Sequence, residues 1–174
     1  MRVNPYIEPL LHNATDLLNR PPTSVEELER RWLDWGLIQF PHPVTADDLD
    51  VVLAYLEQWG HLVDAPGERE RVLILNAMLA RFTAPPSVTD HDGSEWHLHY
   101  RDPAATFGMT LAGSTSASAA QFLCDRGMQR LGRCGIPECR RAFVDVSRPG
   151  RQRYCTQACG NRAAVRRHRA SARG

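Results

Sequence analysis

The sequence predicts an α+β fold: a mostly helical N-terminal domain with a small antiparallel sheet, followed by a compact cysteine-rich module. Apolar residues recur at helical spacing through the first half of the chain. A stretch after residue 83 alternates apolar and polar residues, as strands do. Near the C-terminus, four of the five cysteines form two close pairs, which indicate a metal site. We therefore expect one domain over residues 1–127 and a second over residues 130–174.

Four helices are predicted before residue 83, and caps and breakers set their bounds. Thr23 and Ser24, each with a glutamate three residues later, form overlapping capping boxes for the second helix. Thr45 with Asp48 caps the third. The predicted helices run from Pro5 to Asn19, from Ser24 to Gly36, from Thr45 through Trp59 and from Gly67 to Arg81. In the fourth helix the residues expected in the core are Val72, Leu73, Leu75, Met78 and Leu79.

The alternating stretch predicts a small antiparallel sheet laid on the helices. An Asp-Gly turn signal at residues 92–93 indicates a hairpin. The residues that alternate after it are Trp96, His97, Leu98, His99 and Tyr100. We expect the three apolar side chains to point towards the helices and the two histidines to lie on a polar face.

A further alternation at Phe107 and Met109 indicates a second strand. It precedes a helix rich in small residues, from Ser114 to Asp125, which Gly127 ends. Cys124 lies in this helix among apolar neighbours, so we expect it to pack in the core rather than bind metal.

The histidines are the group in the N-terminal domain that most resembles a ligand site. His97 and His99 lie on one face of a strand, with His91 nearby, and such a pair can bridge a metal ion. No zinc-protease motif, phosphate-binding loop or nucleophile elbow accompanies them, so we expect no enzymatic activity. If this face lines a cavity, we expect a small-molecule effector pocket formed by His97, His99 and Trp96.

The cysteine pairs predict a tetrahedral zinc site. Cys134 and Cys139 are separated by four residues, Cys155 and Cys159 by three, and fifteen residues lie between the pairs. Four thiolates suit Zn²⁺, and the spacing differs from that of iron–sulfur cluster motifs. The alternative of two disulfides is disfavoured because no secretory signal follows Met1. We expect one structural Zn²⁺ bound by these four residues.

The residues around the cysteines predict how the module folds. Ala142 to Val146 is a strand, residues 148–151 are a turn, and residues 152–154 form the returning strand. Thr156 caps a helix from about Gln157 to Arg169. A knuckle, a hairpin and a helix make a treble-clef-like finger, whose folding depends mainly on the metal. We expect the Gly160 backbone to lie close to the metal ligands, and the Asn161 side chain to form hydrogen bonds next to them.

Charge is strongly segregated along the chain. Residues 1–124 hold 8 arginines and 17 acidic residues, a net charge of −9, whereas residues 125–174 hold 13 arginines and 3 acidic residues, a net charge of +10. All 21 basic residues are arginine. Codon preference in a GC-rich genome explains the lack of lysine, but it does not explain why the arginines concentrate near the C-terminus and the acidic residues elsewhere. A C-terminal segment this basic predicts a polyanionic partner.

The last helix places arginines on one face. Arg162, Arg166, Arg169 and Arg173 follow at steps of four, three and four, and Arg167 flanks them. The hairpin contributes Arg148, Arg151 and Arg153. We expect these arginines to bind nucleic acid; the alternative, complementing the helix dipole, needs only one or two cations. Asp145 is expected to pair with one arginine, with Arg162 as a candidate.

The module resembles the CGNR zinc finger. The resemblance rests on the run Cys159-Gly160-Asn161-Arg162, the four cysteines, Phe143-Val144-Asp145 with Ser147 and Arg148, and Arg153-Tyr154-Cys155. In that family the finger closes a bacterial protein whose N-terminal part is the ABATE domain, assigned as a stress-induced transcription regulator. A looser resemblance to that domain rests on residues 16–20, residues 24–36 and His99-Tyr100. It implies zinc binding, DNA binding and a role in transcription.

Two interpretations of the whole chain remain. The first is a DNA-binding transcription regulator, whose N-terminal domain senses an effector or forms a homodimer and whose acidic surface masks the finger. The second is a zinc-stabilised module that binds RNA or an acidic protein. In both we expect a cytoplasmic protein with no membrane partner, because no apolar run is long enough to span a bilayer.

Overall fold

The computed structural model describes residues 6–36, 43–90 and 96–172. Within these ranges the chain forms six α-helices, a short 3-10 turn and two two-stranded antiparallel sheets. The elements are α1 (Ile7–Asn19), α2 (Val25–Trp35), α3 (Ala46–Asp64), α4 (Glu68–Phe82), β1 (Ser87–Thr89), β2 (His97–His99), α5 (Phe107–Arg126), β3 (Leu131–Arg133), β4 (Ala142–Val144) and α6 (Gln157–Ser171). The predicted Asp92-Gly93 turn, His91 and Arg173 lie outside the described residues. In the described ranges, none of the helices has the length and apolar character that crossing a bilayer requires.

Local caps begin and end the first helices as the sequence predicts. The Ser24 hydroxyl accepts a hydrogen bond from the Glu27 amide at 3.2 Å, and the Glu27 carboxylate accepts from the Thr23 amide at 2.9 Å. Thr45 and Asp48 form a complete capping box, with reciprocal bonds of 3.2 and 3.0 Å. Gly36 ends α2 with φ of 60°, a left-handed conformation that glycine adopts without strain.

The main core lies where α3 and α5 pack against α1 and α4. Tyr55 and Trp59 of α3 are fully buried at its centre. Gly113 lets α5 approach the end of α4, because a Cβ at this position would lie 2.4 Å from the Phe82 carbonyl oxygen. The small residues of α5 therefore allow α5 and α4 to pack at close distance.

Helix α4 contacts the core through a narrower stripe than predicted. Leu75 and Met78 are buried, as expected, and Leu79 is half-buried. Val72 and Leu73, however, are 38% and 70% exposed, so their assignment to the core is wrong. The physical reason is the helical period: Leu73 lies about 160° around the axis from Leu75, on the opposite side of the helix.

Helix α5 begins at Phe107, whereas the sequence predicted a helix from Ser114. Phe107 and Met109 belong to the first turn of α5 rather than to a strand. Thr106 caps this helix, and Phe107 packs edge-to-face on Trp32 at 5.1 Å between ring centroids. Tertiary burial of Phe107 overrides a two-residue alternation that was too short to define a strand.

Cys124, near the C-terminal end of α5, is exposed, so its predicted packing in the core is also wrong.

The first sheet exists, but its faces are reversed. β1 pairs with β2 in the register that places Val88 opposite Leu98. Trp96, Leu98 and Tyr100 are 72%, 55% and 36% exposed, whereas His97 and His99 are half-buried. Alternation predicts only that the two faces of a strand differ. The position of the hairpin relative to the helices decides which face is covered.

The second sheet differs from the predicted hairpin in its partner strand. β4 pairs with β3, placing Leu131 opposite Val144, and residues 152–154 form no strand. Leu131 and Val144 are both buried in the main core. The Asn19 side chain of α1 donates to the Ala142 carbonyl at 3.0 Å and accepts from the Ala142 amide at 2.8 Å. These two hydrogen bonds join the β3–β4 hairpin to α1.

Candidate metal centre

The β3–β4 hairpin holds the first cysteine pair. Cys134 directly follows β3, and its amide donates to the Arg141 carbonyl at 2.8 Å. The knuckle then turns so that the Cys139 amide donates to the Ile136 carbonyl at 2.9 Å. Arg140, with φ of 49°, takes the left-handed conformation that leads the chain from the knuckle into β4. The sequence thus forms a rigid loop that carries two sulfurs.

The N-terminal end of α6 holds the second pair. The Thr156 hydroxyl accepts a hydrogen bond from the Cys159 amide at 3.2 Å, so the predicted cap is confirmed. Cys155 lies just before this cap, and Cys159 lies in the first turn. The Gly135 amide donates to the Arg153 carbonyl at 2.8 Å, which brings the segment before Cys155 against the knuckle.

The four sulfurs have the spacing of a tetrahedral zinc site. All four Sγ atoms lie within 4.8 Å of one another. The Cys139–Cys155 distance is 3.6 Å, and Cys159 lies 3.8 Å from both Cys139 and Cys155. Zn–S bonds of about 2.3 Å at tetrahedral angles require sulfurs about 3.8 Å apart, whereas a disulfide requires about 2.05 Å. These residues are the site of one structural Zn²⁺, and the disulfide alternative is wrong.

The electrostatics of the four sulfurs favour a bound cation. Burial raises the pKa of Cys134, but backbone N–H groups of Cys155 and Ile136 donate to its sulfur and lower the pKa to about 7. Burial and the neighbouring sulfurs raise the pKa of Cys155 to about 12, because a second thiolate beside the first is unfavourable. A divalent ion between the sulfurs compensates the thiolate charges and reverses this penalty.

Little apolar surface supports the metal centre. Its buried cluster contains Cys134 and Cys159 with only Ile136 and Ala163 as further buried members, and Tyr154 packs against them partly exposed. Four residues of this size bury too little area to fold a module of this length. We therefore expect the metal to provide most of the free energy that holds α6 against the knuckle.

Asp145 organises the loop that follows β4, and its partner differs from the predicted Arg162. Its carboxylate accepts hydrogen bonds from the Ser147 amide at 2.9 Å and the Gln152 amide at 2.8 Å. Arg130 approaches to 3.8 Å and is itself buried. Burial raises the pKa of Asp145, but these hydrogen bonds and the Arg130 charge outweigh burial and hold the pKa below its ordinary value. Asp145 serves the fold of the loop.

The arginines form an exposed basic surface around the zinc site. Arg162 and Arg169 are exposed on α6. Arg166 is exposed but forms a two-point ion pair with Glu138 of the knuckle, and Arg167 donates to the Tyr154 hydroxyl at 3.1 Å. The loop arginines Arg148, Arg151 and Arg153 are exposed as well. Their role in nucleic-acid binding stays a prediction.

The other predicted site residues also stay predictions. Gly160 lies beside Tyr154, whose ring would be 3.6 Å from a Cβ added there, and the exposed Asn161 accepts a hydrogen bond from Gln157 at 3.0 Å. The structure brings His97 and His99 together, with 3.0 Å between their Nε2 atoms. Trp96 lies on the opposite, exposed face of the strand, apart from them.

Sequence reasoning missed three residues that shape this region. Asn19 is 123 positions from its partner Ala142, and no local pattern indicates such a pair. Arg130 also lacks a signal, because an arginine before a strand is common. Glu138 does carry one: it is an acidic residue inside an otherwise basic segment, so an ion pair was to be expected.

Comparison with known proteins agrees with the geometry. Residues 130–172, about a quarter of the chain, match the family model of the CGNR zinc finger. The matched segment contains all four clustered cysteines. A comparison with curated proteins finds no match to this chain. The C-terminal segment is therefore a zinc-stabilised module similar to the CGNR zinc finger.

Proposed function

We propose that the zinc module binds duplex DNA through its exposed arginines, and that the protein regulates transcription. One observation carries the proposal. Between residues 134 and 172 all nine arginines are exposed, whereas Asp145 is buried and Glu138 is the one exposed acidic side chain. Such a concentration of cations is unfavourable unless a polyanion compensates it.

The geometry of α6 favours a duplex as the polyanion. Arg162, Arg166 and Arg169 lie at positions i, i+4 and i+7, so their guanidinium groups lie along one side of the helix. An α-helix fits the major groove of B-DNA, where arginine contacts phosphates and guanine edges. The loop arginines extend the basic surface beyond the helix, where they can reach the phosphates that flank a groove.

The proposal is tested by DNA binding measured as fluorescence anisotropy, with duplex, single-stranded and structured RNA probes at two salt concentrations. About five phosphate contacts predict a slope near −4.5 in a plot of log K against log salt. Arg162→Ala with Arg169→Ala is expected to weaken duplex binding by about tenfold or more. Zinc content, measured on the same samples, should not change.

A matched control removes two arginines elsewhere. Arg20 and Arg30 are exposed residues of the helical domain, so Arg20→Ala with Arg30→Ala makes the same change in net charge. We expect this variant to bind DNA nearly as well as the unchanged protein. Equal losses in both double variants would leave only a non-specific charge effect, and preference for RNA probes would favour the RNA-binding interpretation instead.

A further inference from the structure

We propose that the protein forms a two-fold symmetric homodimer in which the exposed face of α4 packs antiparallel against the same face of a second copy. The inference is independent of nucleic-acid binding. It starts from Leu73, which is 70% exposed in the middle of a helix, and from Val72 beside it at 38%. Large apolar side chains grouped on a surface in this way mark an interaction site.

The exposed face of α4 has the shape that helix packing requires. Ala77 and Ala80 follow Leu73 at positions i+4 and i+7, so they lie on the same side of the helix, and both are exposed. Val72 and Leu73 also line an open groove of about 530 Å³, together with Met128 and the stems of Glu68 and Arg69. A large side chain at one end and small ones at the other interdigitate when two copies run antiparallel.

The charges at the edges of this face point to a second copy of the chain. Glu70 and Arg81 are both exposed, and they lie eleven positions apart in α4. Eleven residues make about three turns, so both lie on the same flank, about 16 Å apart along the axis. Two antiparallel copies centred near residue 76 place Glu70 of each copy beside Arg81 of the other. The face is therefore complementary to itself.

A second feature supports the same orientation. Arg69 lies near the N-terminal end of the exposed face. In the antiparallel arrangement it approaches the C-terminal end of the other α4, where unpaired carbonyl groups carry partial negative charge. In a parallel two-fold arrangement, the flank of one copy that carries Glu70 and Arg81 would lie against the opposite flank of the other, so Glu70 and Arg81 would not pair. The pairing of Glu70 with Arg81 therefore requires the antiparallel geometry.

Sedimentation velocity of the full zinc-loaded chain tests the proposal over a range of concentrations. We expect a reversible dimer. Leu73→Glu should raise the dimer dissociation constant at least about tenfold, as for central interface residues. Leu33→Glu is the matched control, because Leu33 of α2 is 71% exposed and lies outside this face. Circular dichroism should show an unchanged fold for both.

Exchanging the charges tests the orientation itself. Glu70→Arg and Arg81→Glu should each weaken the dimer, because each places like charges side by side. The variant carrying both changes restores the opposite-charge pairs, and we expect it to recover most of the affinity. A monomer at every concentration, a dimer insensitive to Leu73→Glu, or a double variant weaker than both single ones would overturn the proposal.

Discussion

The helical core and the zinc module are stabilised by different physical means. Among the described residues, twenty-five buried side chains form the main core, including Tyr55 and Trp59, so burial of apolar area stabilises the helices. Around the metal, the buried apolar residues besides cysteine are only Ile136 and Ala163. The β3–β4 hairpin belongs to both, because Leu131 and Val144 lie in the main core while Cys134 begins the knuckle. We therefore expect the metal end of the module to depend on zinc for its stability, and the hairpin to depend on packing against the helices.

The largest effect should come from removing the metal. Cys159→Ala, or a chelator, removes a contribution of about 10 kcal/mol that holds α6 against the knuckle. We expect amide hydrogen exchange over Gln157–Ser171 to become fast, while α1–α5 and the β3–β4 hairpin remain protected.

Cys124→Ala is the matched control for this experiment. Cys124 is exposed and lies outside the cluster of four sulfurs, so its replacement should change neither the zinc content nor the amide hydrogen exchange of α6. Protection of α6 that survives complete removal of zinc would contradict the contrast between the two regions.

An intermediate effect is expected where the two regions meet. Asn19→Ala removes both hydrogen bonds to Ala142 and leaves the amide and carbonyl of this buried hairpin residue without these partners. We expect the free energy of unfolding, from chemical denaturation, to fall by about 1–3 kcal/mol. Zinc content should stay the same, because no ligand is changed.

Asn13→Ala provides the comparison for Asn19→Ala. It makes the same substitution in the same helix, and within the described residues it removes no bond to the hairpin. Equal losses of stability in the two variants would show that the Asn19 side chain does not join the helices to the hairpin.

The smallest effect on stability is expected at the surface of the zinc module. Glu138→Gln breaks the ion pair with Arg166, whose hydrogen bonds lower the pKa of Glu138 to about 2. Exposed ion pairs add little to stability, so unfolding should hardly change. If the proposed DNA binding is right, releasing Arg166 should raise duplex affinity about threefold or more and steepen the salt dependence by about one unit.

Glu57→Gln is the matched control, because Glu57 is exposed on α3 and the change in net charge is identical. The measurement is the same anisotropy titration at two salt concentrations. Duplex affinity that rises equally in both variants would mean that Glu138 has no specific influence on the arginine surface.

The features predicted correctly depend on neighbouring residues. Ser24, Thr45 and Thr156 cap their helices through bonds to amides three positions later. The cysteine pairs likewise indicate a zinc site through their residue type and spacing, because each pair provides two of the four ligands of one tetrahedron. The partner strand of β4 was predicted wrongly, since a strand pattern does not encode which other segment it meets.

By itself, the sequence determined the zinc ligands, the segregation of charge and most of the helices, because these follow from periodicity, caps and composition within short segments. Only the tertiary structure decided which faces are covered. It exposes Leu73 and Trp96, buries Phe107, and joins Asn19 to Ala142 across more than a hundred positions. The physical reason is that burial depends on how whole elements pack, and packing is settled by the sum of many distant contacts.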